Sequence, residues 1–304
     1  MTFAIDCVAG AGGFSLGAER AGLQVVAAIN HWRCAVDTHA ANLPHAVHRL
    51  EDACLLDWRD LPTFSVLLAS PACQGHSRSR GQDRPHHDVS RSSAWAVIRA
   101  AEVCRPRAIL VENVPEFTSW LLYDLWCAAL QKLGYTLTST LIDAADLGVP
   151  QTRVRLLLAA TLGPPPHLAL NPADRRPPQP ADDTIAWEDG TWGPPARLVP
   201  RTQARIAACQ RRGWPRALVR YNGSARSGRP ASAPWGTLTT IDRWGLLRED
   251  GQFRMPTLLE YRRAQGFPDS YQLAGTRRDG VKLLGNAVPP ALATWGCTRL
   301  LEVL

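Results

Sequence analysis

Phe3-Ala4-Ile5-Asp6-Cys7-Val8-Ala9-Gly10-Ala11-Gly12-Gly13-Phe14 is the stretch on which the reading of the whole chain turns. Phe3 to Ala9 is a short apolar run that reads as a buried strand, and glycines follow at its end. Helical spacing takes over from Phe14 to Ala21, and Gly22 stands where a helix should stop. Glycines between a strand and a helix let the backbone approach a bound group and leave the helix's first amides free to donate. Taken alone, the turn serves equally as a cofactor loop, a dinucleotide fingerprint or a plain tight turn.

Outward from it the alternation continues. Val25 to Ile29 reads as a strand, Trp32 to Ala41 as a helix, and Phe64 to Ala69 and Ala108 to Glu112 as further buried strands. An amphipathic stretch from Ala94 to Cys104 separates the last two. Such alternation implies βαβ units, hence an α/β fold with a doubly wound, mainly parallel sheet that binds ligands beyond the carboxyl ends of its strands. Residues 163–200 break the pattern with ten of the chain's 24 prolines and cannot be sheet interior. Thr202 to Gln210 then reads as a helix, Gly223 to Pro234 as a loop and Gly236 to Ile241 as strand-like, before α/β character returns near Arg254. The expected division is one domain of residues 1–162 and 251–304, with a smaller domain, 163–250, inserted in it.

Composition narrows the class. With 304 residues, 45% hydrophobic and 20% charged, disordered, collagen-like and fibrous chains are excluded. The longest apolar stretches fall far short of the roughly 20 residues of a membrane span, and the first residues lack a basic leader, so a cytosolic protein without membrane contact is expected. Eight cysteines form no CxxC pair and no His/Cys cluster at metal spacing, which implies no metal, no disulfide framework and reduced thiols that are mostly buried. The net charge of +7 is regional: residues 163–250 carry 13 Arg against 8 acids, and residues 75–99 carry 5 Arg against 2 Asp. A basic segment and a basic loop on a near-neutral body match a phosphate footprint. Because Lys132 and Lys282 are the only lysines, arginine is also the general solubilising cation here, and a solvated basic face has the same composition.

Three further segments carry chemistry. In Ala69-Ser70-Pro71-Ala72-Cys73-Gln74-Gly75-His76-Ser77 a cysteine lies just past a buried strand, at the root of a basic stretch that favours its thiolate. In Glu112-Asn113-Val114 a carboxylate closes an apolar strand and should face the same crevice; part-buried, its pKa rises and it can donate a proton. In Gln151-Thr152-Arg153-Val154-Arg155 alternation puts Gln151, Arg153 and Arg155 on one face of a strand, as a binding wall or as a solvated edge.

In this order the segments resemble the motifs of the DNA cytosine-C5 methyltransferases: the glycine turn, Pro71-Ala72-Cys73-Gln74, Glu112-Asn113-Val114 and Gln151 to Arg155. Glu260-Tyr261-Arg262-Arg263-Ala264-Gln265-Gly266-Phe267-Pro268-Asp269 and Gly285-Asn286-Ala287-Val288-Pro289-Pro290 complete the set. The resemblance spans residues 3 to about 160 and 254 to 300, and the interval falls where that family keeps its target recognition domain.

It implies a Rossmann-like S-adenosylmethionine-dependent enzyme acting on double-stranded DNA as a monomer. The implied catalytic residues are Cys73, adding to cytosine C6, Glu112, holding or protonating N3, and Arg153 and Arg155, holding the base and its phosphate. The implied donor contacts are Asp6, Val8, Gly10, Gly12, Gly13, Asn30, His31, Asp52, Ala53, Pro71, Asn286 and Val288. DNA contacts are expected at Gln74, Ser77, Arg78, Ser79, Arg80, Arg84, Gln151, Arg226 and Arg243, with Gly75 to Ser90 as a lid over an extruded base. The chain departs from the family in three places. Asn30 stands where an acidic residue usually accepts from both ribose hydroxyls, Val8 replaces a common Phe, and His76 replaces the Phe often found after the nucleophile. Asn30→Asp is therefore expected to tighten donor binding. The competing readings are a tRNA cytosine methyltransferase of the same family, a nicotinamide-dependent oxidoreductase, which leaves Cys73 and Glu112 unexplained, and a catalytically dead DNA-binding relative, which their presence opposes.

Overall fold

The computed structural model describes residues 1–71, 93–220 and 227–304. Among these, strands Thr2–Cys7 (β1), Leu23–Asn30 (β2), Val47–Leu50 (β3), Val66–Ala69 (β4), Ala108–Asn113 (β5), Thr136–Asp143 (β6) and Val154–Thr161 (β7) form one sheet in the order β3-β2-β1-β4-β5-β7-β6. The first five are parallel, and β7 runs antiparallel to both β5 and β6. The mainly parallel α/β sheet is thus as expected.

Its core follows from a side-chain period of two. Ala4, Val66, Leu68, Ala108, Leu110, Leu157 and Ala159 face one way, onto Phe14 and Ala18 of helix Gly13–Arg20 (α1) and Leu292 and Ala293 of helix Pro290–Leu301. Ile5, Leu67, Ala69, Ile109, Val111, Leu156 and Leu158 face the other way, onto Val97 and Ala100 of helix Trp95–Cys104 and Trp126 and Leu130 of helix Tyr123–Lys132. Burial on both faces is why these strands read as continuous apolar runs. The edge strand β6 lacks that signal: Thr136, Ser139 and Leu141 lie toward solvent, and its Thr/Ser-rich sequence shows no apolar run.

Between β7 and the returning C-terminal segment, strands Ala217–Arg220 (β8), Arg229–Pro230 (β9), Trp244–Leu247 (β10) and Phe253–Arg254 (β11) make an antiparallel sheet in the order β11-β10-β8-β9. Helix Pro200–Gln210 packs on it through Ile206 and Cys209, against Ala217, Val219, Leu247 and Phe253. The proline-rich stretch contributes short 3₁₀ turns at Pro172–Asp174, Ala181–Thr184 and Pro195–Arg197 and no strand of either sheet.

Three expectations need correction. Gly236 to Ile241 is not a strand, because the Leu238 amide and carbonyl are taken by the Gln151 and Arg153 side chains instead of a neighbouring backbone. The second sheet runs past residue 250, since Phe253 completes its core. Of the seven cysteines among the described residues only Cys7, Cys209 and Cys297 are buried; Cys34, Cys54, Cys104 and Cys127 are half-buried.

Candidate active site

The parallel strands end at one edge, and each end delivers a polar residue there. Asp6 continues the row of Ala4, and Glu112 that of Ala108 and Leu110, each taking the next place in an apolar row where the core stops. Because β7 is antiparallel, its first residues reach this same edge, with Arg155 continuing the row of Leu157 and Ala159. A cavity of about 260 Å³ opens among these ends.

The glycine turn forms one wall. Val8 has φ of 63°, a left-handed conformation that a β-branched residue adopts only under strain, and Gly12 follows at φ 82°. Gly13 permits the close approach of the C-terminal segment, since a Cβ there would overlap the Val288 carbonyl oxygen. The α1 N-terminus therefore opens on the cavity.

Asp6 is buried, its Oδ2 accepting from Ser15 Oγ at 2.6 Å while Oδ1 has no hydrogen-bond partner. Burial pushes its pKa up to about 7, against the lowering effect of the Ser15 bonds. Behind Ser15 stands His39, Nε2 to Oγ 2.9 Å, and His39 Nδ1 lies 2.8 Å from His48 Nε2. Burial pulls the His39 pKa down to about 3, with His48 and His45 adding to it. Since the single Ser15 hydrogen goes to Asp6, His39 donates from Nε2 and accepts at Nδ1.

Asn30, at the end of β2, is also buried. Its Nδ2 donates to the Ala9 carbonyl at 2.9 Å, and its Oδ1 accepts from the Trp32 amide at 2.8 Å. This reverses the expectation for Asn30→Asp, because a carboxylate would set an acceptor against the Ala9 carbonyl.

The opposite wall carries the charge. Glu112 Oε1 is 2.9 Å from Arg155 Nε, and both side chains are nearly buried. Arg155 is a diagonal cross-strand neighbour of Glu112, two residues before its partner Leu157, within reach of a long side chain. Burial raises the Glu112 pKa, while Arg155 and Arg153 pull the other way. Arg155 Nη1 also donates to the Val154 carbonyl at 2.7 Å. Asn113 steadies the neighbouring strand end, Nδ2 donating to the Pro71 carbonyl at 3.2 Å and Oδ1 accepting from the Val114 amide.

Of the residues expected at the donor site, Asp6, Val8, Gly10, Gly12, Gly13, Asn30, His31, Pro71, Asn286 and Val288 line the cavity together with Glu112, Arg153 and Arg155. Asp52 and Ala53 do not line it. They follow β3, the strand outside Asn30; Ala53 is buried, and the Asp52 carboxylate accepts from the Cys54 amide. Arg243 is half-buried before β10 and away from the cavity lining. Gln151 and Arg153 precede β7, so the expected three-residue strand face does not form. Gln151 is fully buried, its amide bonded to the Ala264 carbonyl, Gln265 Oε1 and the Leu238 amide, which makes it a brace within the protein and not a surface open to DNA. Cys73, Gln74, Ser77, Arg78, Ser79, Arg80, Arg84 and Arg226, with the expected lid, lie outside the described residues.

Trp32 and Lys282 are among the lining residues that were not expected at the site. Lys282 places its ammonium 4.1 Å from the centre of the Trp32 ring, and both face the cavity. The signal was present, since Lys282 is one of two lysines and stands four residues before Asn286 on one helix face. Among the described residues no cluster of His, Cys, Asp and Glu is arranged to hold a metal ion, and no helix is long and apolar enough to cross a membrane.

The doubly wound sheet thus brings a glycine-turn cavity and a buried Glu–Arg pair together at its carboxyl edge. The chain belongs to the C-5 cytosine-specific DNA methylase family, whose model matches residues 2–188 and 200–300, and it is a cytosine-C5 DNA methyltransferase. It is 26% identical over 315 residues to the type II methyltransferase M.HindV of Haemophilus influenzae, covering 98% of this chain and 96% of that one. M.HgiDI of Herpetosiphon aurantiacus, also a type II methyltransferase, is 31% identical over 154 residues, 50% of this chain and 49% of that protein. In structure the chain is similar to a mutant form of DNMT2 from Spodoptera frugiperda, with a TM-score of 0.75 at 18% identity and 99% of both chains covered, a likeness of fold.

Proposed function

We propose that this methyltransferase takes its methyl group from S-adenosylmethionine and delivers it to C5 of a cytosine extruded from duplex DNA, with Cys73 as nucleophile and Glu112 as acid. The observation that carries the reading is the meeting of the glycine-turn cavity and the buried Glu112–Arg155 pair at one sheet edge.

The cavity suits the donor. Asp6 supplies a buried carboxylate oxygen with no partner, matched to a cation, and the glycine turn leaves Gly10 open to it. Asp6, the α1 amides, Val8, Trp32, Asn286 and Val288 would hold it. When bound, S-adenosylmethionine supplies an electrophilic methyl on a sulfonium.

Cytosine C5 is a weak nucleophile, so the ring must be activated. The Cys73 thiolate adds to C6, and Glu112, whose pKa burial raises, gives its proton to N3, so that electron density collects at C5. Arg155 fixes the Glu112 carboxyl and offers its remaining N–H donors to the base. After methylation C5 loses its proton to a base, elimination expels Cys73 as thiolate, and N3 returns its proton to Glu112. Extrusion of the cytosine costs a few kcal/mol, met by contacts along the backbone.

Residues 163–250, extended by the last strand of their sheet at Phe253–Arg254, form the recognition domain in this reading, and residues 1–162 with the segment after that strand form the catalytic one. Arg201, Arg205 and Arg220 lie close enough that the first and last depress the Arg205 pKa, after burial as the main cause, a concentration of positive charge suited to phosphates. The enzyme acts as a cytoplasmic monomer. Incubation with methyl-labelled donor and either duplex DNA or tRNA tests the reading: label on cytosine C5 of DNA supports it, and label on tRNA alone replaces it. Sequencing DNA methylated during expression in a methylation-free host then gives the site.

A further inference from the structure

Arg153 holds two parts of the chain that are far apart in sequence. Its Nη1 donates to the Leu238 carbonyl at 3.0 Å, and its Nη2 donates to the Gly285 and Ala287 carbonyls at 2.9 and 3.0 Å. Gly285 and Ala287 flank Asn286, which lines the cavity. Leu238 lies between Thr237, which is exposed, and Thr239, within the segment assigned to recognition. Gln151 completes the grip, its Oε1 accepting from the Leu238 amide at 2.8 Å. Both backbone groups of Leu238 are thus held by side chains whose planar termini fix direction as well as distance.

Independently, the two segments touch with no side chain between them. A Cβ on Gly285 would overlap the Thr239 carbonyl group and crowd the Thr240 nitrogen. With backbone against backbone, a shift of residues 238–240 has no slack to absorb it before it reaches 285–288.

We propose that Arg153 is a positioning residue that couples the two ligand sites, so that donor binding and DNA binding reinforce each other through the seam between residues 238–240 and 285–288. The inference rests on the assignment of the cavity to the donor and of residues 163–250 to DNA. A ligand that fixes either segment also fixes the other, and the second ligand then meets a site already ordered. Arg153 itself faces the cavity, but its guanidinium is bound to main-chain carbonyls, so it acts through the segments it holds.

The test is the ratio of duplex affinities with and without saturating S-adenosylhomocysteine, read by anisotropy on a labelled duplex bearing the mapped methylation site. The full-length wild type should bind the duplex about 5- to 150-fold more tightly with the analogue present, the range of ordinary site–site coupling. Linkage requires the duplex to tighten analogue binding by the same factor, which calorimetry checks. Arg153→Lys, which keeps the charge but reaches fewer carbonyls, and Gly285→Ala, which wedges the seam without touching Arg153, should each bring the ratio toward one. Arg220→Ala should weaken duplex binding and leave the ratio at the wild-type value; a role for Arg153 in stability alone would likewise leave it unmoved. A wild-type ratio of one, or variants that keep the full ratio, overturns the coupling while the functional reading stands. Failure of the wild type to bind either ligand overturns that reading and this inference with it. Should Arg153→Lys fail to fold, Gly285→Ala decides alone.

Discussion

Asp6→Asn isolates the energetic consequence of burying a carboxylate at the donor site. The side chain is within the core edge, and its pKa lies at about 7 against an ordinary 3.8. A carboxyl whose folded pKa is raised contributes most stability below the unfolded value, and that contribution is lost as pH climbs through the folded value. Across this interval, at about 1.4 kcal/mol per pH unit, the ionised group costs the wild type up to about 4 kcal/mol by about pH 8. Asn cannot ionise, and its oxygen can still accept from Ser15. The new NH2 replaces the Oδ1 that has no partner, a buried unsatisfied donor costing about 1–3 kcal/mol at every pH. The two terms separate because only one depends on pH, and the slope from His39 is common to both proteins. Chemical denaturation of both proteins at steps from about pH 4 to about pH 8 should show the variant gaining on the wild type by up to about 4 kcal/mol. A difference that stays flat over that range would refute the argument that Asp6 is held near neutrality.

Other outcomes follow from the same geometry. Arg155→Met removes the cation beside Glu112 and lets burial raise that pKa further, so the loss of activity on the alkaline side should move to higher pH while kcat falls on the order of 10²-fold; a pH–rate profile checks both. Asn30→Asp should lose the bond to the Ala9 carbonyl, lowering stability by about 1–3 kcal/mol without improving donor affinity, as melting and calorimetry would show. Replacing Arg201 and Arg220 by Ala should weaken duplex binding across sequences and reduce its salt slope by about one for each phosphate that is no longer neutralised, measured by titration at several salt concentrations.

How much of this was legible in the sequence differs from residue to residue. Strands β1, β2, β4 and β5 announced themselves because burial on both faces makes apolar runs, and Glu112 stood out as a polar residue ending such a run, whereas Asp6, inside one, was reached only through the family resemblance. The edge strand β6 did not, since an exposed face removes the pattern. The roles of Gln151 and Arg153 were misread because a periodic row of polar residues looks the same whether it meets DNA or main-chain carbonyls; only the position of Leu238, Gly285 and Ala287 decides. Asn30 shows a similar limit. Its departure from an acidic residue is visible in sequence, whereas its bonds to Ala9 and Trp32 are a product of the turn. The His39–His48 chain behind Ser15 joins residues with no common spacing, so no local pattern could have flagged it.

The most direct measurement concerns the thiol at position 73. A duplex carrying 5-fluorocytosine at the mapped target, incubated with enzyme and S-adenosylmethionine, has no C5 proton to lose, so the sulfur cannot be expelled after methylation. Mass spectrometry of the digested complex should find the nucleotide attached to Cys73, and Cys73→Ser should form none. Methyl transfer to ordinary cytosine without any such adduct, or with the adduct on another cysteine, would contradict the account.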